Sequence, residues 1–377
     1  MKRILFSTWY TGLGGGETDL LTLAQALPRS QYTPHLMLPR PGPLSDRWEA
    51  LGLPVHVVPF RGATTLFSPP IWTCFPVVER IARLLRAQQI DLISADYHSL
   101  PFVAGAARRV SVPLTWTVHG WWFRPRPWQR DFFRGLPTVA RSHSIRAGFL
   151  GKPPFMPPEQ VPVIYSGIDT DRFQPGDGTA LRASLGIPSK APVVAMVARF
   201  QSVKGHDVFQ NVARQIALQM PEARFIVAGD NAFGVAADQK VRDATLQAAA
   251  SDPLLRDRLH YIGFRHDVEA VYHAADVMVC ASHFESLGIA NLEAMACGVP
   301  VVSTNAGGPS ETILDGETGY LVAPRDVTAL ALYTLLLLRD PDLRAQMGQA
   351  ARRHVQERFS VETMRDRYEQ LFAQLWR

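Results

Sequence analysis

Residues 283–302 read HFESLGIANLEAMACGVPVV. Two carboxylates, Glu285 and Glu293, stand in a stretch otherwise made of small and apolar residues. The run before it, DVMVCAS, has the composition of a strand buried on both faces. Glu285 falls in the loop at the carboxyl end of that strand. Helix formers then run over about 287–297, and Gly298 with Pro300 ends them. Glu293 lies inside this helix among Leu292, Ala294, Met295 and Ala296. A carboxylate in such company needs hydrogen-bond donors to stay charged, and sugar hydroxyls would serve. Gly288 allows close approach to the helix start, whose free N–H groups and positive dipole end suit a phosphate. Spacing alone leaves two readings open: a phosphate held between two hydroxyl-binding carboxylates, or one capping and one solvated glutamate.

Outward from this stretch the chain repeats strand, loop and helix. RILFSTW leads through glycines into ETDLLTLAQAL, which has helical spacing; PHLMLP, VHVVPF, LISAD and LTWTVHG read as further short strands. After Asp169 the rhythm restarts with VVAMVARF, RFIVAGD, LHYIGF, DVMVCAS and PVVST. Alternation of this kind means parallel sheets covered by helices on both faces. Two series in 377 residues predict two doubly wound domains. GIDTDRFQPGDGTALRASLGIPSKAP, rich in Gly, Pro and Asp, reads as the linker and entry to the second. The expected boundaries are 1–168 and 169–360, with a C-terminal helix over about 361–377 available to pack back on the first domain. Ligands of open α/β sheets sit at the carboxyl ends of strands, so a cleft between the domains is the expected site.

Bulk properties exclude several classes. Hydrophobic residues make up 47% and charged residues 19%, ordinary for a folded globular chain. Cys74, Cys280 and Cys297 contain no CxxC, which argues against a disulfide framework or a zinc site and fits a reducing cytoplasm. MKRILFSTWYTGLGGGE reads as a first strand running into a glycine turn, because its apolar run is too short for a signal peptide. LALYTLLLL, near 330, is too short to span a bilayer. The formal charge of +5 suggests an anionic partner without naming it.

The segment from Glu285 through AMACGVPVVSTNAGGPSETILDGETGYLV, with its E-x7-E spacing, strongly resembles the retaining glycosyltransferases of family 4, which have the GT-B fold of two Rossmann-like domains facing across a cleft. The other motifs follow in the family's order: GGGE near the start resembles its glycine loop, VHG at 118–120 its cleft histidine, YSGIDTDRF its interdomain segment, and ARFQSVKGHDVF its (G/A)R-x5-K(G) motif. The C-terminal motifs are specific and the N-terminal ones weaker. The resemblance implies transfer of a hexose from a nucleotide-sugar donor with retention at the anomeric carbon. It assigns Glu285 to the donor sugar's hydroxyls, Glu293 to the ribose, and Arg199 and Lys204 to the diphosphate. A departing diphosphate gains charge, and a fixed cation there is worth about 3–4 kcal/mol of the barrier. The bland alternative for Arg199 and Lys204 is a surface pair after a strand.

Several residues need separate treatment. Gly12 and Gly14 fit a dinucleotide fingerprint, but Glu17 stands where its third glycine belongs. By resemblance Gly15 and Gly16 approach the donor or acceptor; a plain strand-to-helix turn is the alternative. His119 ends a strand and by resemblance hydrogen-bonds the donor sugar, although a lone histidine is more often structural. The favoured family route is front-face, with the donor's own phosphate oxygen taking the acceptor proton. Gly263-Phe264-Arg265 follows another strand, and its backbone is the expected nucleobase contact. Asp169-Thr170-Asp171 is a DxD, the metal signature of a different glycosyltransferase fold; here it is read as a turn, and neither metal nor other cofactor is expected.

Residues 121–152 depart from the family pattern. Arg124, Arg126, Arg130, Arg134, Arg141, Arg146 and Lys152 interleave with Trp121, Trp122, Phe123, Trp128, Phe132, Phe133 and Phe149. Three readings stand: an anionic membrane surface or lipid-linked acceptor, a core helix with a solvated basic face, and, well behind, single-stranded nucleic acid. The acceptor and membrane residues expected are Trp121, Trp122, Arg124, Arg126 and Arg130. Together these expectations describe a cytoplasmic enzyme, peripheral on the inner face of the cytoplasmic membrane, without nucleic acid. It would use an NDP-sugar, UDP ahead of GDP, and a lipid-linked or polysaccharide acceptor. The rivals are a nucleotide-sugar 2-epimerase and a non-catalytic sugar-nucleotide- or polysaccharide-binding subunit.

Overall fold

The computed structural model describes residues 1–62, 71–120, 123–231 and 235–376. The chain divides into two compact units, 1–167 with 361–377, and 168–360.

The first unit holds six parallel strands: β1 Lys2–Ser7, β2 Tyr32–Leu38, β3 Val55–Val57, β4 Leu92–Ala95, β5 Leu114–Val118 and β6 Thr138–Ala140. Their order is β3-β2-β1-β4-β5-β6. The second unit repeats the plan with β7 Val193–Val197, β8 Arg224–Ala228, β9 Leu259–Tyr261, β10 Val277–Cys280, β11 Val301–Thr304 and β12 Gly319–Val322, ordered β12-β11-β10-β7-β8-β9. Both are doubly wound. The strand order reverses at β1/β4 in one sheet and at β7/β10 in the other, and these are the places where such sheets hold ligands. Helices cover both faces, so every residue of β4, β5 and β10 is buried, including Thr115 and Thr117 of β5.

Two strands escape the sequence reading. Thr138–Ala140 lies inside the basic stretch and is only three residues long, and Gly319–Val322 has four. Neither is long enough to show an apolar period. The helix expected over 287–297 spans Ile289–Ala296, because Gly288 adopts φ +87° as its N-cap. The helix Val361–Leu375 packs on Gly15–Ala26 in the first unit. Its Tyr368 and Phe372 are buried in that unit's core with Leu23, Ala24 and Leu27, each contributing about 1.5–3 kcal/mol by burial.

The basic stretch is partly core. The rings of Phe123, Phe133 and Phe149 pack around Trp116, with Trp116 and Phe133 centroids 5.1 Å apart and Phe133 and Phe149 5.5 Å apart. The Trp116 indole N–H donates to Thr138 Oγ1 at 2.8 Å. Arg141 leaves the basic run altogether: its guanidinium is buried in an ion pair with Asp19 and lies 5.7 Å from the Tyr368 ring. Arg124 and Arg126 are exposed, as is Trp128 at 56%. Arg130 sits over the Phe155 ring at 5.7 Å. Trp121 and Trp122 lie outside the described residues. No described helix is long and apolar enough to cross a membrane.

Candidate functional site

In the second unit the loops after β7 and β10 meet at the switch point. The chain leaves β7 through Ala198 and Arg199, makes a short turn over Ser202–Lys204, and enters the helix His206–Gln219 at Gly205. Gly205 has φ +68°, and a Cβ there would lie 2.1 Å from the carbonyl oxygen of Ala281. Only glycine lets the turn approach the end of β10 this closely. The His283 N–H donates to the Val203 carbonyl at 2.7 Å and fastens the two loops together.

That approach delivers Lys204 onto Glu285. Its Nζ lies 2.7 Å from Oε1 and 2.8 Å from Oε2, with both side chains mostly buried. Ser282 Oγ donates to Oε1 at 2.7 Å, and Thr304 Oγ1 donates to the Ser282 carbonyl at 2.5 Å. The Glu285 backbone is clamped as well. Its N–H donates to Ala306 and its carbonyl accepts from Gly308, both at 2.9 Å. A Cβ on Gly307 would come within 2.2 Å of that carbonyl. Glu285 therefore sits on a bridge between the loops after β10 and β11 and keeps little freedom.

Arg199 is held through its backbone. Its carbonyl lies 3.0 Å from His206 Nε2, and the His206 ring stacks on Phe200 at 4.4 Å. Burial lowers the His206 pKa, so the ring is neutral and Nε2–H is the donor to that carbonyl. Glu293 faces a different partner, the Tyr272 hydroxyl, which donates to Oε2 at 2.6 Å. Burial pushes the Glu293 carboxyl up to about 7, against the lowering effects of that bond and of Arg172. Gly288 lies at the N-terminus of the same helix, against the Asn291 side chain and Pro309. Arg265 stands apart: its guanidinium forks onto Asp267 at 3.0 and 2.6 Å. Next to it, the Gly263 carbonyl accepts from Gly229 at 2.8 Å.

In the first unit, Gly15 and Gly16 are the first two residues of the helix Gly15–Ala26, so the glycine loop is itself a helix start, whose leading N–H groups have no partner within the helix. Glu17, in the place of the third fingerprint glycine, folds back to accept the Gly14 N–H at 3.0 Å. A Cβ on Gly16 would lie 3.7 Å from His119 Nδ1, so this turn packs on the histidine that follows β5. Burial lowers the His119 pKa, partly offset by Asp96. Asp96 ties the ends of β1 and β4, accepting from Trp9 N–H at 2.9 Å, Thr8 Oγ1 at 3.1 Å and Ser99 N–H at 2.7 Å.

The structure thus brings Lys204 to Glu285 and Gly16 to His119, whereas Arg265 is turned onto a neighbour. Ser282, Tyr272, His206 and Asp96 are supporting residues that sequence reasoning missed. Ser282 had a usable signal, a hydroxyl three residues before Glu285 at a strand end. Tyr272 had none. Asp169 of the DxD accepts from the N–H groups of Asp171 and Arg172 at 3.1 and 2.9 Å, which closes a turn. Among the described residues, no three or more His, Cys, Asp or Glu side chains are grouped to hold a metal ion.

The sequence matches the family described as Glycosyltransferase Family 4 over residues 13–172 and that described as Glycosyl transferases group 1 over 177–354. A D-inositol 3-phosphate glycosyltransferase of Frankia alni is 30% identical over 311 residues, covering 75% of this chain and 74% of that protein. The chain belongs to glycosyltransferase family 4. Another family member, the D-inositol 3-phosphate glycosyltransferase of Mycobacterium sp. (strain KMS), is 37% identical over 202 residues, 52% of this chain. The match spans only 43% of the Mycobacterium protein's length. The N-acetyl-alpha-D-glucosaminyl L-malate synthase of Bacillus anthracis is 31% identical over 222 residues, covering 59% of this chain and 55% of that protein. Solved structures share the GT-B fold. HepE of Anabaena, solved with UDP and glucose, superposes with a TM-score of 0.83 at 24% identity over 99% of this chain and 100% of its own. A glycosyltransferase from Rickettsia africae gives 0.87 at 21% identity over 99% and 98%.

Proposed function

We propose that this family 4 chain is a retaining glycosyltransferase that moves a hexose from an NDP-sugar, UDP ahead of GDP, to an acceptor bound by the first unit. The observation that carries the reading is the Lys204–Glu285 pair at the β7/β10 switch point, with Arg199 on the same loop. In this reading Lys204 and Arg199 take the donor diphosphate, Glu285 the hexose hydroxyls and Glu293 the ribose. His119 and the Gly15 and Gly16 N–H groups are the first unit's contribution to substrate binding. The preference for UDP is supported by HepE of Anabaena, which was solved with UDP and with UDP-glucose.

Chemistry follows from charge. As the glycosidic bond to the diphosphate breaks, negative charge grows on the phosphate oxygens. Preformed cations lower that barrier without reorganising. Lys204 exchanges its carboxylate partner for the diphosphate, and Ser282 keeps Glu285 aligned after the exchange. The acceptor oxygen bonds to the anomeric carbon on the face the diphosphate leaves, and its proton passes to the departing phosphate oxygen, so no covalent nucleophile is required; Lys204 and Arg199 supply the charge stabilisation a metal would give.

The acceptor proposed is lipid-linked or a polysaccharide or lipopolysaccharide, at a cytoplasmic membrane surface, with Arg124, Arg126 and Arg130 nearest to it. A second reading is favoured by the relatives' names, D-inositol 3-phosphate and L-malate: a small, anionic, water-soluble acceptor. Burial of Phe123, Phe133 and Phe149 supports the second, since those rings are not available to a bilayer. Flotation with anionic and neutral liposomes separates them, and absence of binding to either rejects the membrane surface. For the function itself, the test is calorimetry with UDP, GDP, ADP and NAD in EDTA. Selective binding of one nucleoside diphosphate, weakened in Lys204→Ala, supports the reading. Binding of none, or of NAD alone, rejects it, as does a metal requirement for transfer.

A further inference from the structure

We infer that Tyr272 is a positioning residue for the nucleotide, holding the Glu293 carboxylate in place to receive the two ribose hydroxyls. The inference rests on the assignment of Glu293 to the ribose made above. Tyr272 is fully buried on the helix Glu269–Ala274, with its ring edge-on to Phe173 at 6.1 Å and 63°. Packing therefore fixes the hydroxyl before any ligand arrives. That hydroxyl meets Glu293 Oε2 at 2.6 Å, the short distance of a bond to a charged acceptor. Oε1 has no hydrogen-bond partner among the described residues. Burial and the neighbouring carboxylate push the phenol pKa well above its usual 10, so Tyr272 stays a donor across the working range.

The other charged groups facing Glu293 act in opposite directions. Arg172 favours the ionised carboxylate, but its guanidinium forks onto Glu269 Oε2 at 3.2 and 2.7 Å, and Glu269 opposes ionisation. Cys297 lies close by, its thiol pushed up to about 12 by burial and by Glu293. Arg352, from the helix Pro341–Arg358, is engaged by the carbonyls of Ala296 and Phe173. Tyr272 is thus the single side-chain hydroxyl bonded to this carboxylate among the described residues. Without it the group keeps its burial cost and loses its donor, so it protonates at a higher pH. A neutral carboxyl turns one of its oxygens into a donor, so it is a poorer acceptor for the two hydroxyls of a vicinal diol.

The test uses the full chain with Tyr272→Phe, which keeps the ring and the packing. Calorimetry from pH 6 to 9 measures the Kd of UDP, or of GDP if the wild type binds that instead. The same series is run with the 2′,3′-dideoxy analogue. The variant is expected to weaken the ribonucleotide about tenfold at pH 7, with the loss shrinking toward pH 9. The dideoxy analogue, lacking the diol, is expected to bind both proteins alike at every pH. An equal loss for both ligands, or a loss independent of pH, makes Tyr272 merely structural and overturns the inference. If the wild type binds no nucleoside diphosphate, the donor-site reading has failed. What then remains, that Tyr272 holds the Glu293 carboxylate, is decided by 13C NMR titration of the Glu293 carboxyl, identified with Glu293→Gln. A pKa higher in Tyr272→Phe supports the claim, and an unchanged one overturns it.

Discussion

Replacing Lys204 by methionine removes both contacts to the Glu285 carboxylate, at 2.7 and 2.8 Å, while keeping an unbranched apolar stem. The side chains are 18% and 14% exposed, so water screens them little. At an effective dielectric near 20, unit charges about 4 Å apart attract by ~4 kcal/mol. Dehydration of both ions cancels part of this. In the variant Ser282 still donates to Oε1, but the carboxylate loses its counter-charge, and we expect Lys204→Met to cost about 2–3 kcal/mol. Glu285→Gln leaves the ammonium stranded and is expected to cost a similar amount. The double variant strands no charge, so its cost should fall short of the sum by ~2 kcal/mol. The assay exploits an asymmetry in composition. All 8 tryptophans lie in 1–167 and 361–377, so tryptophan fluorescence reports the first unit alone, whereas far-ultraviolet circular dichroism reports both. The shift should appear in the part of the dichroism transition that fluorescence does not follow. A coupling below about 0.5 kcal/mol, the ordinary error of additivity, would refute the claim that the pair organises the site.

Gly205→Ala forces a Cβ to within 2.1 Å of the Ala281 carbonyl at φ +68°, and should cost about 2–3 kcal/mol in the same transition while weakening nucleotide binding. Arg141→Met leaves Asp19 charged and buried, at an expected cost of about 3–5 kcal/mol, read this time from tryptophan fluorescence. His35 stacks on His56 with its Nδ1 2.9 Å from Nε2, and burial with the neighbouring His56 and Arg3 lowers its pKa from 6.5 to about 4. A base with a depressed folded pKa takes up its proton on unfolding. Its contribution is complete above pH 6.5 and is lost as pH falls from there toward about 4. Fluorescence-detected stability should fall through that window, and His35→Asn should flatten the fall; an unaltered slope would contradict the assignment.

The parallel sheets were legible because buried strands such as Val277–Cys280, a continuous apolar run, and Leu114–Val118, rich in β-branched and aromatic residues, are each followed by glycine or helix-forming residues. The register between Glu285 and Glu293 was legible because strand, loop and helix there are contiguous, so local rules place both residues. The strand Thr138–Ala140 was hidden because three residues carry no period, and a basic stretch surrounded them. The pairing of the Arg265 guanidinium with Asp267, two residues on, is a short-range contact of the kind sequence can suggest.

Taken alone, the sequence determined the doubly wound class, the two-unit plan and the positions of Arg199, Lys204, Glu285 and Glu293 relative to strand ends. Those properties depend on composition and short-range order. Tertiary structure decided which groups hold those side chains in place. Lys204 reaches Glu285 because the loops after β7 and β10 touch at Gly205, and Tyr272 reaches Glu293 from another helix. It also decided that Arg141 goes inside with Asp19 and that Phe133 and Phe149 pack on Trp116. The physical reason is common to all of these. Charge and apolarity say what a residue needs, but only the packed neighbours, such as Asp19 for Arg141, say where that need is met.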